Sequence, residues 1–247
     1  MRERLGIETL MSFVDNVIKK YRAITEELGR INGVLYVINR LTEKLRGQRL
    51  IYRYVLVAQP VRQQPLLAYH RGRSIVVRQV FLRETTLCRL PVTADTLERR
   101  FKQGGICLGA FSKGVLIGCI WLCFAPYDED EVRCRFIPMP EGKAAWDFDV
   151  YLDPEYRSSY ALARMWDEAN AYLRQRNVEW SFSRISAFNP GSLHAHQRLG
   201  AEHLGTATYI RLGDWQLTVT TLPPFFHFST GGSSVPYVRL QAPKQCS

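Results

Sequence analysis

Three short segments of this 247-residue chain carry side chains suited to chemistry. The first is the run Trp146 to Leu152 (WDFDVYL), in which Asp147 and Asp149 alternate with large apolar residues. On a period-two strand the two carboxylates share a face with Tyr151, and Trp146, Phe148, Val150 and Leu152 share the other. Carboxylates placed in this way can take a proton from a reacting group. They suit an exposed, solvated strand face equally well. The second segment is Pro154-Glu155-Tyr156-Arg157-Ser158-Ser159, a polar turn that leads into an apolar-striped run. Ser158 or Ser159 caps a helix there, and a helix N-terminus offers unpaired N–H groups and a positive dipole end to a phosphate, with Arg157 as a nearby cation. The third runs from Asn189-Pro190-Gly191-Ser192 to His196, Arg198, Gly200 and Ala201. His196 titrates in the range useful for proton transfer; it also fits a half-buried helix histidine with a local hydrogen bond. His194 and His203 lack ligand spacing, and the scattered cysteines form no CxxC pair. Neither a metal site nor a disulfide framework is expected.

The elements that must position these segments follow from periodicity and turn residues. Ser74 to Leu82 is β-branched and strand-like. Thr93 or Asp95 caps a short helix through Phe101, stopped by Gly104-Gly105. Ile106 to Phe111 and Val115 to Phe124 are apolar runs around Ser-Lys-Gly, a hairpin signal. The acidic run Asp128 to Glu131 reads as a solvated loop, or alternatively as an attraction for a cationic substrate. After the 146–152 strand comes a long helix striped by Leu162, Met165, Trp166, Ala169, Tyr172 and Leu173. A strand at Trp180 to Ala187, a short helix at Asn189 to Leu199 and two strands, Ala207 to Leu212 and Gln216 to Thr221, complete an α/β layer structure. Upstream, apolar stripes over 7–28 and 31–45, stopped by Gly29 and Gly47, predict a helical hairpin. It packs on the main domain or on a second copy, or it lies on a membrane surface, since Lys44, Arg46, Arg49 and Arg53 cluster at its end. The division is thus a basic helical extension at 1–58, a linker at 59–73, a domain at 74–221 and an irregular tail at 222–247.

The second and third segments together resemble the GNAT superfamily of acyl-CoA N-acyltransferases. Pro154, Tyr156 and Arg157 match the turn that opens the family's pyrophosphate-binding helix. Asn189, Ser192, His196, Arg198, Gly200 and Ala201 match its second motif, with His196 where a general-acid tyrosine usually stands. The resemblance implies an α+β fold with a mixed, mostly antiparallel sheet flanked by helices, over residues 74–221. It implies acetyl-CoA or another acyl-CoA as donor, an amine acceptor that attacks the thioester directly, and no metal. Leu152, Arg157, Ser158, Ser159, Tyr160, Ala161, Leu162, Asn189 and Ser192 would hold the donor. Asp147 or Asp149 would act as base, and His196 would protonate the leaving thiolate. The family's phosphate turn has small residues where Tyr160 and Leu162 stand, and glycine there permits a close backbone approach that tyrosine does not. A carrier-protein donor of longer chains, or a non-catalytic module that binds membrane or protein, is the alternative reading.

Charge adds a partner expectation. The formal net charge is +10, and residues 1–105 hold 20 Lys/Arg against 9 Asp/Glu, while 106–247 hold 13 against 14. A basic N-terminal part suits an acyl carrier protein or an anionic membrane surface, or it is merely solubilising. No readout element supports specific nucleic-acid binding. The longest apolar run, Val115 to Pro126, falls short of the ~20 residues that span a bilayer. The charged start is unlike a signal core, so a cytoplasmic protein, peripheral at a membrane or not, is expected.

Overall fold

The computed structural model describes residues 24–231 and 234–243. The expected helix over 7–28 lies outside them apart from residues 24–28, which are helical. After Gly29 comes α1 (Arg30–Arg46), closed by Gly47 in the left-handed conformation (φ 69), whose N–H bonds Glu43 O. The inner side of α1 presents Asn39, whose buried Oδ1 accepts the N–H groups of Leu50 and Ile51 at 3.0 Å each and so ties the helix to the sheet. None of the described helices is long and apolar enough to cross a membrane.

The sheet begins with β1 (Ile51–Pro60) and β2 (Ile75–Val80). A short helix α2 (Ala94–Lys102) leads to the hairpin β3 (Ile106–Ser112) and β4 (Val115–Cys123). Thr93 caps α2 as expected, its side chain accepting the Thr96 N–H. Next come β5 (Tyr127–Asp128), β6 (Arg135–Met139) and β7 (Ala144–Leu152). The long helix α3 (Ala161–Arg174), β8 (Trp180–Ser186) and the short helix α4 (Pro190–Arg198) follow. The chain closes with β9 (Glu202–Leu212), β10 (Trp215–Thr220), β11 (Phe226–Thr230) and β12 (Tyr237–Gln241). Nine strands form one sheet in the order β11-β10-β9-β1-β8-β7-β4-β3-β2, and β12-β6-β5 form a small second one. Within the large sheet every neighbouring pair is antiparallel except β7 and β8. This is the mixed, mostly antiparallel architecture flanked by helices that the family resemblance implies.

Three expectations are corrected. Residues 51–58 are not part of a helical extension: with 59 and 60 they form β1, inserted between β8 and β9. The run IYRYVLVAQP is rich in β-branched and aromatic residues, which pack well on a pleated surface. Residues 61–73 are not a free linker but a strap along α3. Asn170 Oδ1 accepts Arg62 N–H at 3.1 Å, and Asp167 accepts Leu66 and Leu67 N–H at 2.6 and 3.2 Å. The tail is not irregular throughout, because β11 extends the large sheet and β12 pairs in parallel with β6.

Two apolar cores lie on opposite faces of the sheet. One holds Trp121, Trp146, Phe148, Phe136 and Tyr127, with ring centroids of Tyr127 and Phe148 at 4.1 Å and of Phe136 and Trp146 at 4.5 Å. The other packs α3 through Met165, Trp166, Ala169 and Leu173 against Ile120, Leu122 and Leu152. A bulge in β7 changes which residues belong to which face. Leu122 pairs with Asp147 and Trp121 with Asp149, leaving Phe148 as the extra residue. Trp146 and Phe148 therefore stay in the first core, while Leu152, with Val150 packed against it, falls into the second. The expected common face of Asp147 and Asp149 does not exist: the bulge sends them to opposite sides.

Candidate active site

β7 and β8 pair in parallel only from Ala144↔Trp180 to Asp147↔Ser183. Both strands continue beyond that point, β7 to Leu152 and β8 to Ser186, so they splay. The opening is a slot of about 180 Å³ whose walls include Asp147, Asp149, Ser183, Arg184 and His196. It joins two larger clefts. One of about 400 Å³ lies on the α3 and α4 side and shares Val150, Asn189, Ser192 and His196 with the slot. The other, of about 780 Å³, lies on the α2 side and shares Phe148, Asp149 and Arg184 with it. At the splay the slot thus borders a cleft on each face of the sheet.

The three catalytic candidates all line the slot, in different environments. Asp147 is 1 % exposed, not a surface carboxylate. It accepts the Ser181 and Ser183 hydroxyls at 2.5 and 2.6 Å. Burial raises its pKa, against the opposing influence of His196 and the two serines. Asp149 is on the α2 side, where its Oδ2 takes Arg100 Nη1 at 2.7 Å. Arg100, nearly buried, also binds Asp130 through Nε at 2.7 Å. His196, at the inner face of α4, packs edge-on against Trp166 with centroids 5.7 Å apart. Its Nδ1 is buried without a hydrogen-bond partner among the described residues. Burial lowers its pKa, partly offset by Asp147, so the ring is neutral at neutral pH.

The donor candidates divide. Leu152, Arg157, Leu162, Asn189 and Ser192 line the α3-side cleft; Ser158, Ser159, Tyr160 and Ala161 make the turn beside it. The helix begins at Ala161 with Tyr160 as its N-cap, which corrects the expected cap at Ser158 or Ser159. Ser159 still contributes, since its hydroxyl accepts the Ala161 N–H at 3.1 Å and donates to Tyr156 O at 2.6 Å. Tyr160 leans on the strap: a Cβ built on Gly72 (φ 69) would lie 3.4 Å from Tyr160 Cβ, and Arg71 Cζ is 5.6 Å from the ring centroid. Asn189 caps α4 by accepting the Ser192 N–H at 3.1 Å.

Several site residues escaped sequence reasoning. Tyr54 of β1 and Arg184 of β8 carried no local signal. The acidic run is not a solvated loop. Asp130 holds Arg99 and Arg100, while Glu129 and Glu131 hold Arg184 at 2.6 and 3.1 Å. Its four consecutive acids were the visible signal, and their arginine partners were not.

Residues 77–201 match the Acetyltransferase (GNAT) family, just over half of the chain. This chain belongs to that family. Among solved structures, a GCN5-related N-acetyltransferase from Sphaerobacter thermophilus shares 18 % identity, with a TM-score of 0.44 over 81 % of this chain and 57 % of that one. A tandem GNAT protein from the clavulanic acid biosynthesis pathway shares 13 %, with a TM-score of 0.44 over 79 % of this chain and 59 % of that one. The aminoglycoside acetyltransferase meta-AAC0020, from an uncultured soil metagenomic sample, shares 8 %, with a TM-score of 0.38 over 52 % of this chain and 88 % of that one. The chain thus spans under two thirds of the first two. No curated protein matches it significantly.

Members of the GNAT family carry out acyl transfer and in general take acetyl-CoA or another acyl-CoA. The α3-side cleft fits such a donor on three observations. Among the described residues the edge of β7 facing the splay has no strand partner past Asp147. A buried histidine nitrogen in the wall lacks a partner among the described residues. Arg157 lies in that wall near the α3 N-terminus. Among the described residues no three His, Cys, Asp or Glu side chains gather to hold a metal.

Proposed function

We propose that this GNAT protein is an N-acyltransferase that moves a short acyl group, acetyl above all, from acyl-CoA to an amine. The observation that carries the reading is the slot at the splay. It joins an α3-side cleft with open backbone and histidine valences to an α2-side cleft lined with charge. Acyl-CoA supplies a thioester carbonyl open to attack by an amine. Leu152, Leu162 and the exposed edge of β7 hold the pantetheine arm, and Arg157 with the first-turn N–H groups of α3 meets its phosphates. Asp149 faces the acceptor side, and Arg100 occupies only its Oδ2, leaving Oδ1 to take the proton of the amine. His196, neutral and beside the donor cleft, offers its N–H to the leaving sulfur as a hydrogen bond. Asp147 lines the slot but not the acceptor cleft, and it biases His196 through its charge.

Tyr160 in place of a small residue favours one other donor, a longer acyl chain on a carrier protein. The size of the slot speaks against a long chain. Calorimetric titration with acetyl-CoA, followed by an acetyl-transfer assay on primary amines, tests the reading. Binding and turnover are expected. Failure of wild type and of Tyr160→Gly to bind any CoA thioester would overturn it.

A further inference from the structure

The two edges of the large sheet carry different side chains. At one edge β2 bears Arg78, exposed and ion-paired with Glu84 at 2.7 Å. A charge on an open strand keeps it from pairing with another chain. At the other edge β11 has no such protection. Residues 215–238 contain no Lys, Arg, Asp or Glu, in a chain of which 23 % is charged. By register, Phe226 and Phe228 share a face with Trp215 and Val219 of β10 and Leu212 of β9. All five are exposed, Phe226 by 65 % and Phe228 by 52 %. The cations close to this region are held elsewhere. Arg133 lies on the opposite face, donating to Ser229 Oγ at 3.3 Å and to the Asp214 carbonyl at 2.7 Å. Arg53 shares the apolar face but stands on β1, bonded to Thr208 Oγ1 at 2.8 Å.

The main chain of β11 is open in a defined register. Thr220 N–H bonds Phe225 O at 3.0 Å, and Gly231 N–H bonds Asp214 O at 2.9 Å, so the odd-numbered residues bond to β10. Phe226 and Phe228 therefore turn their N–H and C=O groups away from the sheet, where no strand among the described residues meets them. The chemistry of this edge selects its occupant. A lipid surface would leave those main-chain groups unsatisfied in an apolar medium. A nucleic acid needs cations, which this face lacks. Two copies of the chain, each with net charge +10, repel over most of their surface and least across an uncharged edge. Antiparallel pairing centred on His227 sets Phe226 of one copy opposite Phe228 of the other, in both directions. Each such pair exchanges both of its open hydrogen bonds, and the four phenyl rings come together on one face.

We propose that two copies of this chain associate through β11, edge to edge and antiparallel about His227, joining their nine-stranded sheets into one. The contact is two-fold and self-complementary. It does not depend on the acyl-transfer reading: β11 lies outside the matched region 77–201, and none of its residues lines the slot or the two clefts beside it.

Sedimentation equilibrium of the full chain, 28.5 kDa per copy, at micromolar concentration tests the proposal. A two-copy species is expected, and added NaCl should tighten it, because salt screens the repulsion of like-charged copies and the interface holds no ion pair to weaken. Phe226→Lys and Phe228→Glu should each raise the dissociation constant by about a hundredfold or more, since each buries an unpaired charge. Val76→Lys, on the opposite edge, should leave it unchanged. Mixing the two β11 variants should restore association, because the introduced charges then face each other across the pairing; loss through misfolding would not be restored in this way. Wild type that stays monomeric at every salt concentration, a dimer that salt weakens, a dimer that survives both β11 variants, or variants that fail to recover on mixing would each overturn the proposal. A monomer that floats with phosphatidylcholine vesicles would overturn it in favour of lipid.

Discussion

The two sides of the sheet meet at the splay but are built differently. On the α3 and α4 side valences stay open: among the described residues Asp147 is bonded by serine hydroxyls alone, and His196 Nδ1 has no partner. On the α2 side the carboxylates are already met by guanidiniums, Asp149 and Asp130 by Arg100 and Glu129 by Arg184. Asp147 and Asp149 make the contrast sharpest. Two residues apart on β7, they face different surroundings because one bulge residue lies between them. A side with open valences waits for a ligand to complete it. A side with paired charges is rigid before the ligand arrives, which is how electrostatic stabilisation avoids reorganisation during reaction.

If this contrast is correct, the two aspartates do different work. Asp149→Asn should lower turnover by about 10³-fold while acetyl-CoA binding persists, since a general base contributes on that order. Equal loss of binding and turnover would mean that Asp149 is structural. Arg100 is the keystone of the α2 side, and Arg100→Met leaves Asp130 and Asp149 facing each other without their shared cation. Urea denaturation should show a loss of about 3 kcal/mol. A loss below about 0.5 kcal/mol would place Arg100 among surface pairs of little weight.

His196→Gln tests the donor side with a smaller effect, a fall in kcat of about tenfold with little change in donor affinity. It also has a pH signature. Because the folded protein holds the His196 proton less tightly than the unfolded chain does, its contribution makes stability fall as pH drops below the ordinary 6.5 toward the lowered folded value. Asp147 acts in the opposite sense: its raised folded pKa makes stability fall as pH rises from the ordinary 3.8 through the folded value. Denaturation midpoints measured across pH 3 to 8 (a range of about five units) should lose the first slope in His196→Gln and the second in Asp147→Asn. An unchanged profile in both variants would contradict the assigned burial. The smallest effect concerns the phosphate turn. Tyr160→Gly should tighten CoA binding by about threefold, and Arg157→Ala should weaken it by a similar factor, the scale of one exposed charge contact. Weaker binding in Tyr160→Gly would instead make Tyr160 part of the phosphate seat.

Much of this arrangement was legible from local signals. The Ser-Lys-Gly turn marks the β3–β4 hairpin, Thr93 marks the start of α2, and Asn189 with Gly200 frames α4. What stayed hidden depends on partners remote in sequence. β1 finds its neighbours in β8 and β9, 120 residues or more further on, so nothing near Ile51 to Pro60 reveals that it enters the sheet. The sequence WDFDVYL alternates without a fault, and the bulge arises only in its pairing with β4. The acidic run shows its charge but not Arg100 or Arg184, which arrive from α2 and β8. Local chemistry could name Asp147, Asp149 and His196; only tertiary pairing could divide them between the two sides.

The central claim is that donor and acceptor meet at the splay of β7 and β8. A crystal structure of the full protein with CoA tests it most directly. The account predicts the CoA sulfur in the slot beside His196, the pantetheine arm along the free edge of β7, and the pyrophosphate at the start of α3. CoA seated away from the splay, or its thiol on the α3 side with no path to Asp149, would contradict it.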